Sequence, residues 1–142
     1  MSLSLGADGA PCNNNLDIFV EMRLAALIHK PRSGPTAVTA LQVLEMATLG
    51  GARAIGMEAE VGSIEVGKRA DLSLVELVGA HATPRGEDLV SQLVFSGRST
   101  DVTDVMIDGQ LVMKNRELLT LNEGRVLAEA ERHATRLAQT LT

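Results

Sequence analysis

Leu5-Gly6-Ala7-Asp8-Gly9-Ala10-Pro11-Cys12-Asn13-Asn14-Asn15-Leu16-Asp17 is the stretch on which the fold turns. It begins as the tail of an apolar–polar alternation over Ser2 to Ala7, which reads as a short strand running into a turn at Asp8-Gly9. On spacing alone the Asp-Gly pair is a turn and nothing more. Ala10 to Asn15 follows as a loop with Pro11 and three consecutive asparagines. Asn15 is placed to cap a helix over about residues 16–29, where Asp17 suits the positive end of the helix dipole. Pro31 stops that helix.

Downstream, Thr39-Ala40-Leu41-Gln42 fits a capping box and predicts a second helix, with Leu41, Leu44 and Thr48 on one face and Gly50-Gly51 weakening its end. From Val61 the pattern changes. Ile64-Glu65-Val66-Gly67-Lys68 reads as a tight turn, Asp71 to Leu77 as a strand and Leu89 to Phe95 as another. Val102 to Ile107 and Gln110 to Met113 flank Asp108-Gly109, a strong hairpin signal because both residue types tolerate positive φ. The tail, Asn122 to Leu141, sets Val126, Ala130, His133, Ala134, Leu137 and Leu141 on one helical stripe, which reads as a packing face. Periodicity alone therefore gives an α+β domain.

The 142 residues are 45% hydrophobic and 22% charged, ordinary for a globular protein, yet Phe19 and Phe95 are the only aromatics among Phe, Tyr and Trp. The core must be aliphatic. A net charge of -5 with no stacking platforms argues against nucleic acid, and its sign disfavours an anionic membrane surface. No apolar run has the length of a membrane span, and no signal peptide is evident. Cys12, the single cysteine, can form neither an intrachain disulfide nor a thiolate cluster, which favours a reducing, cytoplasmic setting. There is no phosphate loop, no G-x-G-x-x-G and no Ser-His-Asp arrangement.

Three stretches, in order, resemble one family. Leu5 to Asp17, with Glu21-Met22-Arg23-Leu24-Ala25-Ala26-Leu27 after it, is similar to the end of the eighth barrel strand and the next helix of metal-dependent amidohydrolases. Within that superfamily it most resembles the methylthioadenosine/S-adenosylhomocysteine deaminase and chlorohydrolase-like group. Ala47 to Gly56 and Val61 to Leu72 resemble the superfamily's C-terminal signature, and Asp101 to Gln110 its late β-hairpin.

The resemblance implies a C-terminal portion of a distorted (β/α)8 barrel: barrel remnant at 1–60, β-sandwich portion at 61–121, terminal helix at 122–142. It implies aminohydrolase chemistry on the C–N bond of an amino-substituted heterocycle, using a divalent metal, most simply zinc. The family's metal ligands are a His-x-His pair, two further histidines and one aspartate. Only the aspartate falls in this chain, as Asp8, at the strand end where barrel enzymes carry catalytic groups. Asn13 is the candidate substrate contact. His29, His81 and His133 match no ligand position and read as solvated or core histidines. Cys12 has no identifiable base partner, Arg53 favours a helix C-terminus, and Gly62, Gly67 and Lys68 read as turn geometry. The expectation is a chain that binds no metal and turns over no substrate by itself. The rival expectation is a non-catalytic assembly module, because strands lacking their partners invite homo-oligomerisation.

Overall fold

Asp108 and Gly109 have φ of 50° and 75°, and around them β2 (Val102–Ile107) and β3 (Gln110–Lys114) form an antiparallel hairpin with Ile107 opposite Gln110. The structure, a computed structural model, describes residues 3–140. β1 (Leu72–Val75) pairs antiparallel with β2, Leu72 facing Met106, and β4 (Glu117–Leu118) pairs with β3, giving the sheet order β1-β2-β3-β4. The turn between β3 and β4 is formed by Asn115 and Arg116, both at positive φ. An arginine tolerates this because its backbone N–H donates to Thr103 O at 2.8 Å and its Nε to Thr100 O at 3.0 Å.

Against one end of the sheet lie the helices α1 (Ile18–Ile28), α2 (Lys30–Ser33), α3 (Ala40–Ala47), α4 (Leu49–Ala54) and α5 (Leu89–Ser96). Phe19, Met22 and Ala26 of α1, Ala40 and Val43 of α3 and Val94 of α5 form the buried core, with Val75 and Val102 packed on it from the sheet. The core is aliphatic apart from Phe19, as the composition requires. α6 (Glu123–Thr140) follows β4, and every one of its residues is exposed. Its predicted stripe is thus not a packing face within this chain; Leu141 lies outside the described residues.

Three other expectations need correction. Residues 3–7 are extended but form no strand, since their one backbone bond to the rest of the fold is Leu5 N–H to Met46 O at 3.4 Å (Ser2 lies outside the described residues). A strand exists only as part of a ladder, and no strand among the described residues pairs with this segment. Leu89 to Phe95 is helical, not a strand. Asp88 caps it by accepting from Ser91 N at 2.9 Å, and Val90, Leu93 and Val94 recur at helical spacing toward the core. A seven-residue apolar run does not distinguish the two structures by itself. In α3 the capping box forms as expected, but Leu41 is 65% exposed and the inward face is Ala40, Val43, Leu44 and Ala47.

The glycine pair after α3 acts by closeness of approach. A Cβ on Gly50 would sit 2.9 Å from Leu3 O, so this glycine lets the extended N-terminal segment lie against the start of α4.

Candidate functional site

Asp8 ends the extended segment and adopts φ 60°, the left-handed region that aspartate visits because its short side chain can bond locally. Its Oδ1 accepts from Gly9 N at 2.7 Å, and its Oδ2 has no hydrogen-bond partner among the described residues. The residue is exposed. A carboxylate with one oxygen tied to its own loop and the other open is suited to bind as a single-oxygen ligand.

The loop after Asp8 is organised by its own polar groups. Gly9 O accepts from Cys12 N at 2.9 Å and Asn13 N at 3.0 Å. Asn13, half-buried, accepts from Asn15 N at 3.1 Å through Oδ1 and donates from Nδ2 to Glu21 Oε1 at 2.6 Å. Its carboxamide thereby keeps one N–H for other contacts. The helix cap is Asp17, not Asn15: its Oδ1 accepts from Phe19 N at 2.9 Å. Asp17 Oδ2 also accepts from Ser99 Oγ at 2.8 Å, joining α1 to the turn that leads into β2. Leu16 enters this cap at φ 45°, and Val38 enters the cap of α3 at φ 49°.

The histidines lie elsewhere. His29 ends α1, and His133 on α6 sits 2.9 Å from Arg136 Nη2 through Nδ1. His81 Nε2 is 2.9 Å from Asp101 Oδ2, and that buried carboxylate also accepts from Arg98 N at 2.9 Å. The pair fastens the turn at Ala80–Ala82 to the base of β2. Among the described residues no group of three or more His, Cys, Asp or Glu side chains converges as a metal cage. The Asp8 carboxylate could serve as one ligand of a metal ion, and among the described residues no second and third donor converge on it. Cys12 is exposed, and Arg53 ends α4 with Nη1 2.8 Å from Glu45.

The turn at 61–71 is structural. Lys68 Nζ donates to Glu58 O at 2.7 Å and Ser63 Oγ at 2.6 Å, while hydrogen bonds from Ser63 and Lys68 hold the Glu65 carboxyl below its usual range. Asp71 Oδ1 accepts from Asp108 N at 2.6 Å, and Arg69 Nε donates to Asp108 at 2.9 Å, which depresses the Asp108 pKa and raises that of Arg69. Between the helices and the sheet runs an apolar groove of about 770 Å³, lined by Leu16, Met22, Leu44, Ile55, Leu72 and Val105 among others. Asp8 and Asn13 do not line it. No helix among the described residues is long and apolar enough to cross a membrane.

Sequence reasoning overlooked Glu21 and the double role of Asp17. Asp17, an acid just ahead of the apolar run, was open to reading as a cap; the side-chain bond between Asn13 and Glu21 leaves no periodic trace.

Comparison with known proteins gives a consistent result. A model of the Amidohydrolase family matches residues 1–112. The 5-methylthioadenosine/S-adenosylhomocysteine deaminase of Syntrophomonas wolfei is 46% identical over 138 residues, which are 96% of this chain and 32% of that protein. The 5'-deoxyadenosine deaminase of Methanosarcina acetivorans is 44% identical over 96% of this chain and 31% of its own. A zinc-bound adenosine deaminase from Xanthomonas campestris superimposes with a TM-score of 0.93 at 39% identity, over 98% of this chain and 32% of that one. A mutant of the atrazine chlorohydrolase from Arthrobacter aurescens, complexed with zinc and atraton, gives a TM-score of 0.81 at 28% identity over 93% of this chain and 29% of that one. The chain thus spans about a third of the length of the curated relatives it matches.

Proposed function

Because the chain belongs to the amidohydrolase family, we propose that it is the C-terminal portion of an aminohydrolase that releases ammonia from an amino-substituted purine or similar heterocycle. The observation that carries this is Asp8: within the matched region, at the tip of an extended segment, with Oδ2 open. In this reading residues 1–60 are the end of a (β/α)8 barrel, 61–121 part of a β-sandwich and 122–142 an appended helix.

Asp8 is the one metal ligand this chain contributes. A divalent ion such as zinc, when bound, lowers the pKa of a coordinated water to about 7. Asp8 Oδ2 accepts the proton given up by the attacking water and hands it to the departing amine, acting as base and then as acid. Asn13 offers its remaining Nδ2 N–H to the substrate. The missing donors are histidines of the complementary polypeptide, so the chain alone is inactive.

Purified chain should carry negligible zinc or iron and release no ammonia from a panel of aminopurines. Co-expression with the N-terminal two-thirds of a related deaminase should restore release, and Asp8→Asn should then lower it by about 10²–10⁴-fold. Restored activity indifferent to Asp8→Asn would overturn the assignment.

A second reading, a non-catalytic module that associates with itself, is favoured by one observation. Ile64, Val66 and Leu74 are 88%, 109% and 65% exposed around a sheet whose β1 edge is unpaired among the described residues.

A further inference from the structure

We infer that Glu21 is a positioning residue for Asp8, acting through Asn13. The inference rests on the reading of Asp8 as the working carboxylate. The loop between Asp8 and α1 has little to hold it by packing, since Ala10, Pro11, Cys12, Asn14 and Asn15 are all exposed. What holds it is a continuous series of hydrogen bonds. Asp8 Oδ1 accepts from Gly9 N, and Gly9 O accepts from Asn13 N. Asn13 Nδ2 donates to Glu21 Oε1 at 2.6 Å. At 2.6 Å this last bond, to a carboxylate oxygen, is the shortest of the series, in the range of hydrogen bonds to charged acceptors.

Glu21 stands on a firm base. It lies in the first turn of α1, whose neighbouring residues Phe19 and Met22 are buried and whose cap Asp17 is tied to Ser99. The helix is therefore the fixed body and the Asp8 loop the adjustable one, with Glu21 the side chain that reaches across. Its effect bears on Asp8 because that residue sits at φ 60°, a conformation that aspartate holds through local hydrogen bonds and that the bonded loop keeps populated. Release of Asn13 leaves the Gly9 carbonyl held by Cys12 N alone, which loosens the turn and lets Asp8 relax toward the extended region, turning its carboxylate away from the direction set by the loop.

The test uses the isotope-labelled full chain in solution and reads Asp8 directly. Glu21→Ala should move the Cα and Cβ shifts and the HN–Hα coupling of Asp8 toward extended values. It should also speed exchange of the Asn13 side-chain Nδ2 protons by about tenfold or more, the loss expected for a hydrogen bond to a charged group. Glu21→Gln, which keeps an acceptor oxygen without the charge, should recover most of the wild-type Asp8 shifts and coupling; a merely structural role for helix charge would not be rescued this way. Asn13→Ala should reproduce the Asp8 changes of Glu21→Ala, and the methyl signals of Val43 and Val94 report whether the core is intact in each variant. Asp8 parameters unchanged in both alanine variants, or Glu21→Gln behaving like Glu21→Ala, overturn the inference. These signals need no metal and no turnover. A positive result here with ammonia release indifferent to Asp8→Asn would leave the positioning in place and remove only the catalytic reading.

Discussion

Gly62 shows how little freedom one position can leave. Its φ is 92°, and a Cβ there would lie 2.8 Å from Ala52 Cβ and 2.9 Å from Leu49 Cα. Gly62→Ala combines a left-handed backbone with an overpacked contact against the helix backbone, so a loss of about 1–3 kcal/mol is expected in urea denaturation. A midpoint unchanged from wild type would show that α4 yields. The structural role of this glycine was legible from its place in the turn, whereas its contact with α4 was not, because the two segments meet only through tertiary packing. Asp8 and Asn13 stood out as chemistry-bearing residues. Glu21 did not, because a bond between side chains eight positions apart, across a loop and a cap, follows no helical or strand period.

The β2–β3 hairpin is the element with a defined acid response. Arg69 depresses the Asp108 pKa, so the carboxylate's contribution to stability is present above its unfolded value of about 3.9 and is lost as pH falls through the lower folded value. The amide shifts of Asp108 and Gly109 should therefore hold steady down to about pH 4 and change below it. Asp108→Asn should flatten that response while preserving the turn, since asparagine also accepts positive φ. A hairpin that loosens in acid to the same extent in wild type and variant would assign the effect to other carboxylates, Glu65 or Asp88.

Elements with local instructions were readable in advance. The hairpin needs two residues at positive φ, and α3 needs a hydroxyl and an amide three residues apart; both demands are written within four consecutive letters. α5 was misread because its cue is the cap at Asp88, while its apolar run suits either structure. The segment before Asp8 was misread for the opposite reason: its alternation is genuine, but a strand needs a ladder, and no strand among the described residues pairs with it.

Taken together, the helical layer and the sheet enclose a small aliphatic core and leave much apolar surface outside it. Val43 and Val94 are the largest side chains buried to below 2% exposure, while Ile64, Val66, Ile55 and Leu74 face solvent. Exposed aliphatic side chains beside a strand edge that is unpaired among the described residues favour association. Sedimentation velocity at micromolar concentration should show a dimer or larger species, shifting toward a one-to-one complex when the N-terminal portion of a related deaminase is added. A monodisperse monomer that ignores the added portion would contradict both readings of the exposed surface. The groove's lining was not legible in the sequence, because Leu16, Met22, Leu44, Ile55, Leu72 and Val105 come together only through tertiary packing.

α6 stands on a different footing from the other helices. With all its residues in water, it gains nothing from the core, and its survival depends on chain length, on the cap at Asn122 and on charge placement alone. Heating should fray it gradually while the body melts in a cooperative step, so ellipticity and core fluorescence-free probes such as methyl resonances would trace two separate curves from a single polypeptide.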